Sequence, residues 1–581
     1  MGDDSTCALV FAVYSRFCEL SFAIEAHPFI PTMTHVATPS SKSPWSEYFT
    51  FNTDHKVIGV QYLVTSFCFL LIGGLLAMLI RAELLTPQLN LFSRQLYNGL
   101  FTLHGTIMIF LWTIPAFMGL ANYIVPLAIG ARDMAFPKLN AAAFWILPFA
   151  GVLLVSSFFL PNGSAQSGWW SYPPLSTQLP ESEGFFNGQS LWIVSMVMIG
   201  VSSIMAAVNF VTTILWMRTK GMTLFRMPIF VWSVLSAQTL QLMFLPALTS
   251  ALILLLFDLN FGTHFFQPFE GGTPILYEHL FWFYSHPAVY VWALPAWGVF
   301  SEVIPAFTRN PLFGYRSVAI ATFSFVIITG VVWVHHMFAS GTPGWMRTLF
   351  MFSTELVAVP TGIKVFAWTA TIWRSKIHFE TPLLFALGGL IMFVLAGITG
   401  VMLGVLPFDL HVNNTYFIVG HFHYIVFNTI VMAYFAGFYY WFPKITGRRY
   451  SESWGRLHFA LTFVGANLNF FPMFPLGLQG MLRRVSSYDP QYANWNVVAS
   501  LGSFLLGVAI LPFLANIIVS TFEGKPAEHN LWHATGLEWK TASPPPKENF
   551  EQLPVVNLPP YSYADPRRTD RDSSQPNPAS S

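Results

Sequence analysis

The sequence predicts an all-α polytopic membrane protein of about twelve transmembrane helices. Three observations carry that expectation. Of 581 residues, 54% are apolar and 9% charged, where a soluble domain carries about 25% charged residues. Apolar runs long enough to cross a bilayer, which takes about 20 residues, recur about twelve times. Lys and Arg gather in alternate loops between those runs. A net charge of +1 without a basic patch offers nothing to attract nucleic acid.

Taken in order, residues 1–50 read as an N-terminal extension. Arg16 and Glu19 interrupt its apolar run and no small-residue cleavage site follows, so it does not read as a clean signal peptide. MGDDST also matches the myristoylation pattern, but a flexible or interfacial extension is the simpler reading. The spans then fall near 57–80, 97–129, 141–160, 189–216, 227–257, 274–306, 317–340, 345–374, 382–404, 414–441, 456–482 and 498–521, inside a transmembrane domain of residues 51–521. Residues 522–581 read as a polar, Pro-rich cytoplasmic tail without a core pattern. Cys7, Cys18 and Cys68 form no close pair, which excludes a thiolate metal cluster.

Loop charge orients the bundle. Arg132 and Lys138 follow span two, Arg218, Lys220 and Arg226 span four, and Arg309 and Arg316 span six. Arg374 and Lys376 follow span eight, and Lys444, Arg448, Arg449 and Arg456 span ten, whereas the loops after spans three, five and nine hold no Lys or Arg. The even loops therefore face the inner side. That orientation places His104, His286, His335, His336, His421 and His423 at one level in the outer half of the membrane, roughly 10–20 Å deep at 1.5 Å per residue.

Imidazoles in lipid are costly and mark function, and imidazole suits iron and copper. His421 and His423 point about 200° apart on a helix, so they serve two cofactors on two sides of span ten. One can take a second axial ligand from His104, giving a low-spin haem, while the other keeps an open face. Tyr290 follows His286 at i+4 on one face. His286, His335 and His336 make a copper site with an open position, beside which Tyr290 can supply a proton and an electron.

The motifs HGTIMIFLW, NYIVPLAIGARDMAFPKLN, GWWSYPPL, GMTLFRMPIFVW, ILYEHLFWFYSHPAVY, VVWVHHMFASG, VPTGIKVFAW and TYFIVGHFHY resemble subunit I of the haem–copper oxygen reductases, A-type cytochrome c oxidases, over about residues 50–520. The resemblance implies two haems and one copper. His104 and His423 would ligate the low-spin haem and His421 the high-spin haem. His286, His335 and His336 would hold copper, with catalytic Tyr290 covalently joined to His286. Arg81 would bond the formyl group of a low-spin haem A, and Arg483 and Arg484 would pair with propionates.

The resemblance also implies two inner proton routes. One starts at Asp133, with Asn122 and Asn140 near its mouth and Ser202 and Ser203 further in. The other runs through Ser301, Thr361 and Lys364 to Tyr290, with Glu302 a candidate feeder. Two departures stand out. Where many members carry a relay glutamate this chain has Ala288, and FYSHPAVY resembles the subgroup in which Tyr284 and Ser285 relay instead. Asn413-Asn414 stands where the family has His-Asp, so magnesium is not expected unless His411 or Asp409 compensates; two amides are poorer ligands for a hard cation than a carboxylate.

The implied partners are a subunit II carrying a dinuclear copper, a subunit III and further small subunits, membrane lipid, and cytochrome c or a copper protein as donor. Quinol members carry Gln and His where Gly99 and Leu96 stand here, which makes a quinol oxidase the alternative. Tyr290 and Lys364 argue against a nitric-oxide reductase. A secondary transporter would show internal repeats and leaves six level histidines unexplained. A bacterial cytoplasmic membrane is expected over a mitochondrial one.

Overall fold

The computed structural model describes residues 44–178 and 184–563; Cys7, Cys18 and most of the expected N-terminal extension lie outside the described residues. Twelve helical segments follow one another. They are α1 (His55–Glu83), α2 (Arg94–Ile129), α3 (Pro137–Phe159), α4 (Gly188–Trp216), α5 (Ile229–Asn260), α6 (Pro274–Thr308), α7 (Tyr315–Val331), α8 (Gly344–Ile372), α9 (Thr381–Gly404), α10 (Tyr416–Thr446), α11 (Glu452–Leu478) and α12 (Pro490–Glu523). Eleven are long and apolar enough to cross a membrane, and α7 is a shorter apolar helix. The chain is thus a multi-pass membrane protein of the expected class.

Local sequence starts and stops these helices. Asp54 accepts from the Lys56 amide ahead of α1, Ser93 from Leu96 ahead of α2, and Thr415 from Phe417 ahead of α10, satisfying amides that have no partner within the helix. Gly130 ends α2 and Gly447 ends α10 at φ 71° and 69°, where a side chain is disfavoured. Prolines inside α2, α3, α5, α6, α10 and α12 are tolerated because neighbouring helices re-satisfy the freed carbonyls.

Burial ranks the helices by role. The most apolar stretches of α2, α6 and α10 are 94%, 94% and 83% buried, against 33% for α1 and 17% for α8. The three central helices are those that carry His104, His286 with Tyr290, and His421 with His423. Outer faces keep Phe149, Val152, Ile327, Phe366 and Ile391 exposed, as a lipid-facing surface does.

Three departures from straight helices fall at the histidines. A π-helical stretch, Ile107–Thr113, begins three residues after His104, and another, Val426–Val431, begins three after His423. In each, a threonine hydroxyl donates to the carbonyl five residues back, Thr113 to Met108 at 2.6 Å and Thr429 to Tyr424 at 2.9 Å. Such bulges gather at functional sites. The third departure concerns α7, expected to run through 340. Its α-helical part ends at Ile328, and Trp333–Met337 is a 3-10 turn. There the adjacent His335 and His336 bring their Nε2 atoms to 3.0 Å.

Residues beyond α12 differ from the coreless tail expected. Trp532, Leu537, Trp539, Phe550 and Tyr561 are buried. Lys444 at the end of α10 donates to the carbonyls of His529, Thr541 and Ala542. Asn549 bonds His55 and the Ala131 carbonyl, and Val556 donates to Lys220. Anchors spaced this widely carry no periodicity, so hydrophobic pattern alone misses them.

Candidate haem and copper centre

Four of the six histidines are fixed by a partner that decides which nitrogen is free. His104 Nδ1 lies 2.9 Å from the Gly73 carbonyl and His423 Nδ1 2.8 Å from that of Val419. A carbonyl only accepts, so both Nδ1 atoms carry the proton and both Nε2 atoms keep their lone pairs. Thr399 Oγ1 donates to the Ala396 carbonyl at 3.0 Å, so it accepts from His421 Nδ1, also at 3.0 Å. Thr354 likewise donates to Phe350 at 2.6 Å and accepts from His335 Nδ1 at 2.9 Å. Metal-binding imidazoles are typically held this way.

The rings of His104 and His423 are 6.3 Å apart and within 7° of parallel. That is too far for ring contact and suits one metal ion between two nitrogens, each at about 2 Å. His421 turns to the other side of α10, where a Cβ on Gly400 would sit 3.1 Å from its ring. Ligating nitrogens of His286, His335 and His336 all lie within 4.8 Å of one another. His336 Nε2 is 3.2 Å from His286 Nδ1 and 3.0 Å from His335 Nε2, lone-pair nitrogens converging as a cation requires. Trp282 stacks on His336 at 3.9 Å. Tyr290 lies 5.0 Å from His286, ring to ring, and His286 Nε2 is buried without a partner.

All seven of these residues line one cavity of about 1100 Å³ that Arg81, Arg483 and Arg484 also reach. Arg81 Nη2 is held by Asn496 and Ser500, while its Nε and Nη1 are buried and unpartnered. Arg483 and Arg484 lie over Trp170 at 4.6 and 3.7 Å. Burial lowers them to about 10 and about 9, the second also through repulsion by the first. Neither forms an ion pair among the described residues, so two half-buried cations reach the cavity without a carboxylate partner. The donor set therefore fits two haems with carboxylate arms and one copper.

The proton-route residues are only partly joined. Asn140 donates to Asn122 at 2.6 Å. Burial raises the Asp133 carboxyl to about 6. Ser202 donates to the Ala143 carbonyl at 2.6 Å, and it shares a small pocket with Ser203. Tyr284 donates to Gln241 at 2.9 Å, while the Ser285 hydroxyl is buried without a partner. Lys364 is fully buried and donates to Thr322, with the Trp297 ring 5.6 Å away. Trp297 in turn neighbours Tyr290 at 6.4 Å. Ser301 is engaged by Trp368 at 2.9 Å, and Thr361 lines the large cavity.

Glu302 is turned to other partners, accepting from Phe230 N and from Tyr561 of the C-terminal segment at 3.0 and 2.5 Å. Asn413 donates to Asp409, whose carboxyl burial raises to about 6, and Asn414 accepts from Arg483. Sequence reasoning missed Thr399, Thr354, Thr322 and Gln241. Hydroxyls and amides in spans are ordinary, and only their partners give them roles.

A helical membrane bundle whose helices and connecting turns bring six imidazoles and three arginines to one cavity defines a membrane metalloprotein of the haem–copper kind. The chain belongs to the family described as cytochrome c and quinol oxidase polypeptide I, which matches residues 57–505. It is 53% identical over 519 residues to cytochrome c oxidase subunit 1 of Synechocystis sp., covering 89% of this chain and 93% of that one. To cytochrome c oxidase subunit 1 of Thermostichus vulcanus it is 51% identical over 549 residues, 94% and 98% of the two chains. A solved haem–copper terminal oxidase dimer shares the fold at a TM-score of 0.68 and 19% identity, over 82% of this chain and 85% of that one.

Proposed function

We propose that the chain is the catalytic subunit of a terminal cytochrome c oxidase in a bacterial membrane, assembled with further oxidase subunits and reducing O2 to water with four electrons and four protons. The observation that carries this reading is the convergence of the His286–His335–His336 cluster, Tyr290 and His421 in one cavity. When bound, the haems and copper supply electron transfer and oxygen chemistry.

The protein residues do the rest. Thr399, Thr354, Gly73 and Val419 set the tautomers of four ligating rings. Tyr290 holds a proton on its phenol beside the copper ligands. The partnerless His286 Nε2 supports a covalent link between that atom and the Tyr290 ring. Arg483 and Arg484 neutralise propionates, and the open N–H groups of Arg81 favour haem A over a haem without a formyl group. Protons enter from the inner side through Asp133, Asn122, Asn140, Ser202 and Ser203 to Tyr284 and Ser285, the relay of the tyrosine–serine subgroup. A second route runs through Ser301, Thr361 and Lys364 towards Tyr290. The bundle is the domain 51–521, residues 1–50 are an extension, and the segment from 522 lies on the inner side.

Electrons come from cytochrome c or a copper protein through a dinuclear copper in subunit II. A quinol donor is disfavoured, because Gly99 and Leu96 stand where quinol members carry glutamine and histidine. Asn413 donates to Asp409 and Asn414 Oδ1 accepts from Arg483; two amides where the family has His-Asp disfavour magnesium, being poorer ligands for a hard cation than a carboxylate. The test is an optical spectrum of the reduced complex with and without carbon monoxide, alongside metal analysis. One CO-sensitive and one insensitive haem with one adjacent copper per copy support the reading. A single haem, or no copper beside it, refutes it.

A further inference from the structure

Two glutamines one turn apart, Gln238 and Gln241, are buried within α5 at 3% and 1% exposure. Polar side chains at such depth are costly and mark function. Gln241 Oε1 accepts the Tyr284 hydroxyl at 2.9 Å. Among the described residues its Nε2 has no hydrogen-bond partner, and the residue lines a small pocket of about 20 Å³. That volume holds one water, which needs about 10–15 Å³ and two to four polar partners. Here Tyr62, Ser202, Ser203 and Gln238 join Gln241 around it. Beyond Tyr284, the unpartnered Ser285 hydroxyl faces the large cavity with the copper ligands. Gln241 is therefore the described residue that both lines the pocket at Ser202 and Ser203 and bonds the Tyr284 hydroxyl.

We infer that Gln241 is a positioning residue of the Asp133-side proton route, holding a water in this pocket against Tyr284 and setting the direction of the Tyr284 hydroxyl. The inference rests on the reading of Tyr284 and Ser285 as the relay. A carboxamide neither gains nor loses a proton at neutral pH, so Gln241 acts through Tyr284. The Tyr284 hydroxyl turns its proton from Gln241 to Ser285 and releases it that way as a protonated water in the pocket gives its own proton to Tyr284 Oη. The phenol ends as neutral as it began. Gln241 Oε1 then draws the new O–H back to its starting direction.

The experiment uses the assembled oxidase in sealed vesicles, with protons released per electron and turnover measured across pH. Gln241→Met keeps the shape but removes acceptor and donor. It should slow turnover about tenfold, the worth of one buried hydrogen bond, and lower protons released per electron, while the CO difference spectrum stays unchanged. Gln241→Glu restores an acceptor and should recover most turnover with a new pH inflection, because its carboxyl titrates. A merely packed glutamine moves neither the proton ratio nor the pH profile. Gln241→Met with wild-type turnover and proton ratio overturns the inference. Should that variant fail to assemble, Gln241→Glu with an unaltered pH profile overturns it instead. Tyr284→Phe separates the two levels: if it is silent, the relay reading falls; if it is impaired while Gln241→Met is normal, only the role of Gln241 falls.

Discussion

Thr399→Val removes the hydrogen bond that orients His421 and changes little else. Valine keeps the branched shape, so packing against α10 is retained. The free imidazole responds by moving its proton to Nε2. Binding haem iron through Nε2 then forces the proton back to Nδ1, where the Thr399 oxygen is gone and the Ala396 carbonyl is the acceptor left beside it. The penalty falls on the ligated state alone. Losing one of two buried acceptors costs about 0.5–1.5 kcal/mol, the net worth of a hydrogen bond, so haem retention at this position should fall about 2- to 13-fold. The 3.0 Å bond and the carbonyl that fixes the Thr399 hydroxyl direction are the basis of that range. The assay is haem content per polypeptide with the amplitude of the CO difference spectrum, and Thr399→Ser is the control that keeps the acceptor. Full CO amplitude and an unchanged haem dissociation rate in Thr399→Val would refute the reasoning.

Other outcomes follow from the same geometry. Lys364→Met should slow reduction of the CO-binding haem about 100-fold, the scale of losing a positioned proton carrier, with haem content intact; stopped-flow reduction at the wild-type rate would remove Lys364 from the route. Asp133 carries a carboxyl raised to about 6 by burial, so it is neutral below that pH and charged as pH rises through it. Proton uptake through its route should therefore inflect near pH 6, and Asp133→Asn should flatten the inflection while lowering uptake; an inflection that survives the substitution assigns it elsewhere. If His286 Nε2 is bonded to the Tyr290 ring, the peptide carrying both is lighter by two hydrogens in mass spectrometry, whereas Tyr290→Phe gives the unmodified mass.

The spans were legible because a bilayer imposes a length and an apolarity on each, and eleven long helices with α7 fall where the apolar runs lie. Histidines were legible for the related reason that an imidazole in lipid needs a purpose. The break at His335 and His336 was not legible. The run through α7 stays apolar to Val334, and nothing in it signals a 3-10 turn. The strap beyond α12 was read as coreless because Trp532, Trp539 and Tyr561 are scattered among prolines and charges, with no period to reveal a buried face. The resemblance makes Glu302 a candidate feeder of the Lys364 route, yet its partners in the structure are Phe230 and Tyr561.

By itself the sequence determined the class of protein, the order and depth of its helices, and the residue types that can bind metal, because hydropathy and ligand chemistry are properties of single residues and short runs. Only the tertiary structure decided which nitrogen is free on four of the histidines, which arginine N–H groups stay unpaired, and which glutamine holds Tyr284. Those outcomes depend on partners brought together from distant helices, and a hydrogen bond exists only where folding has set donor and acceptor within reach.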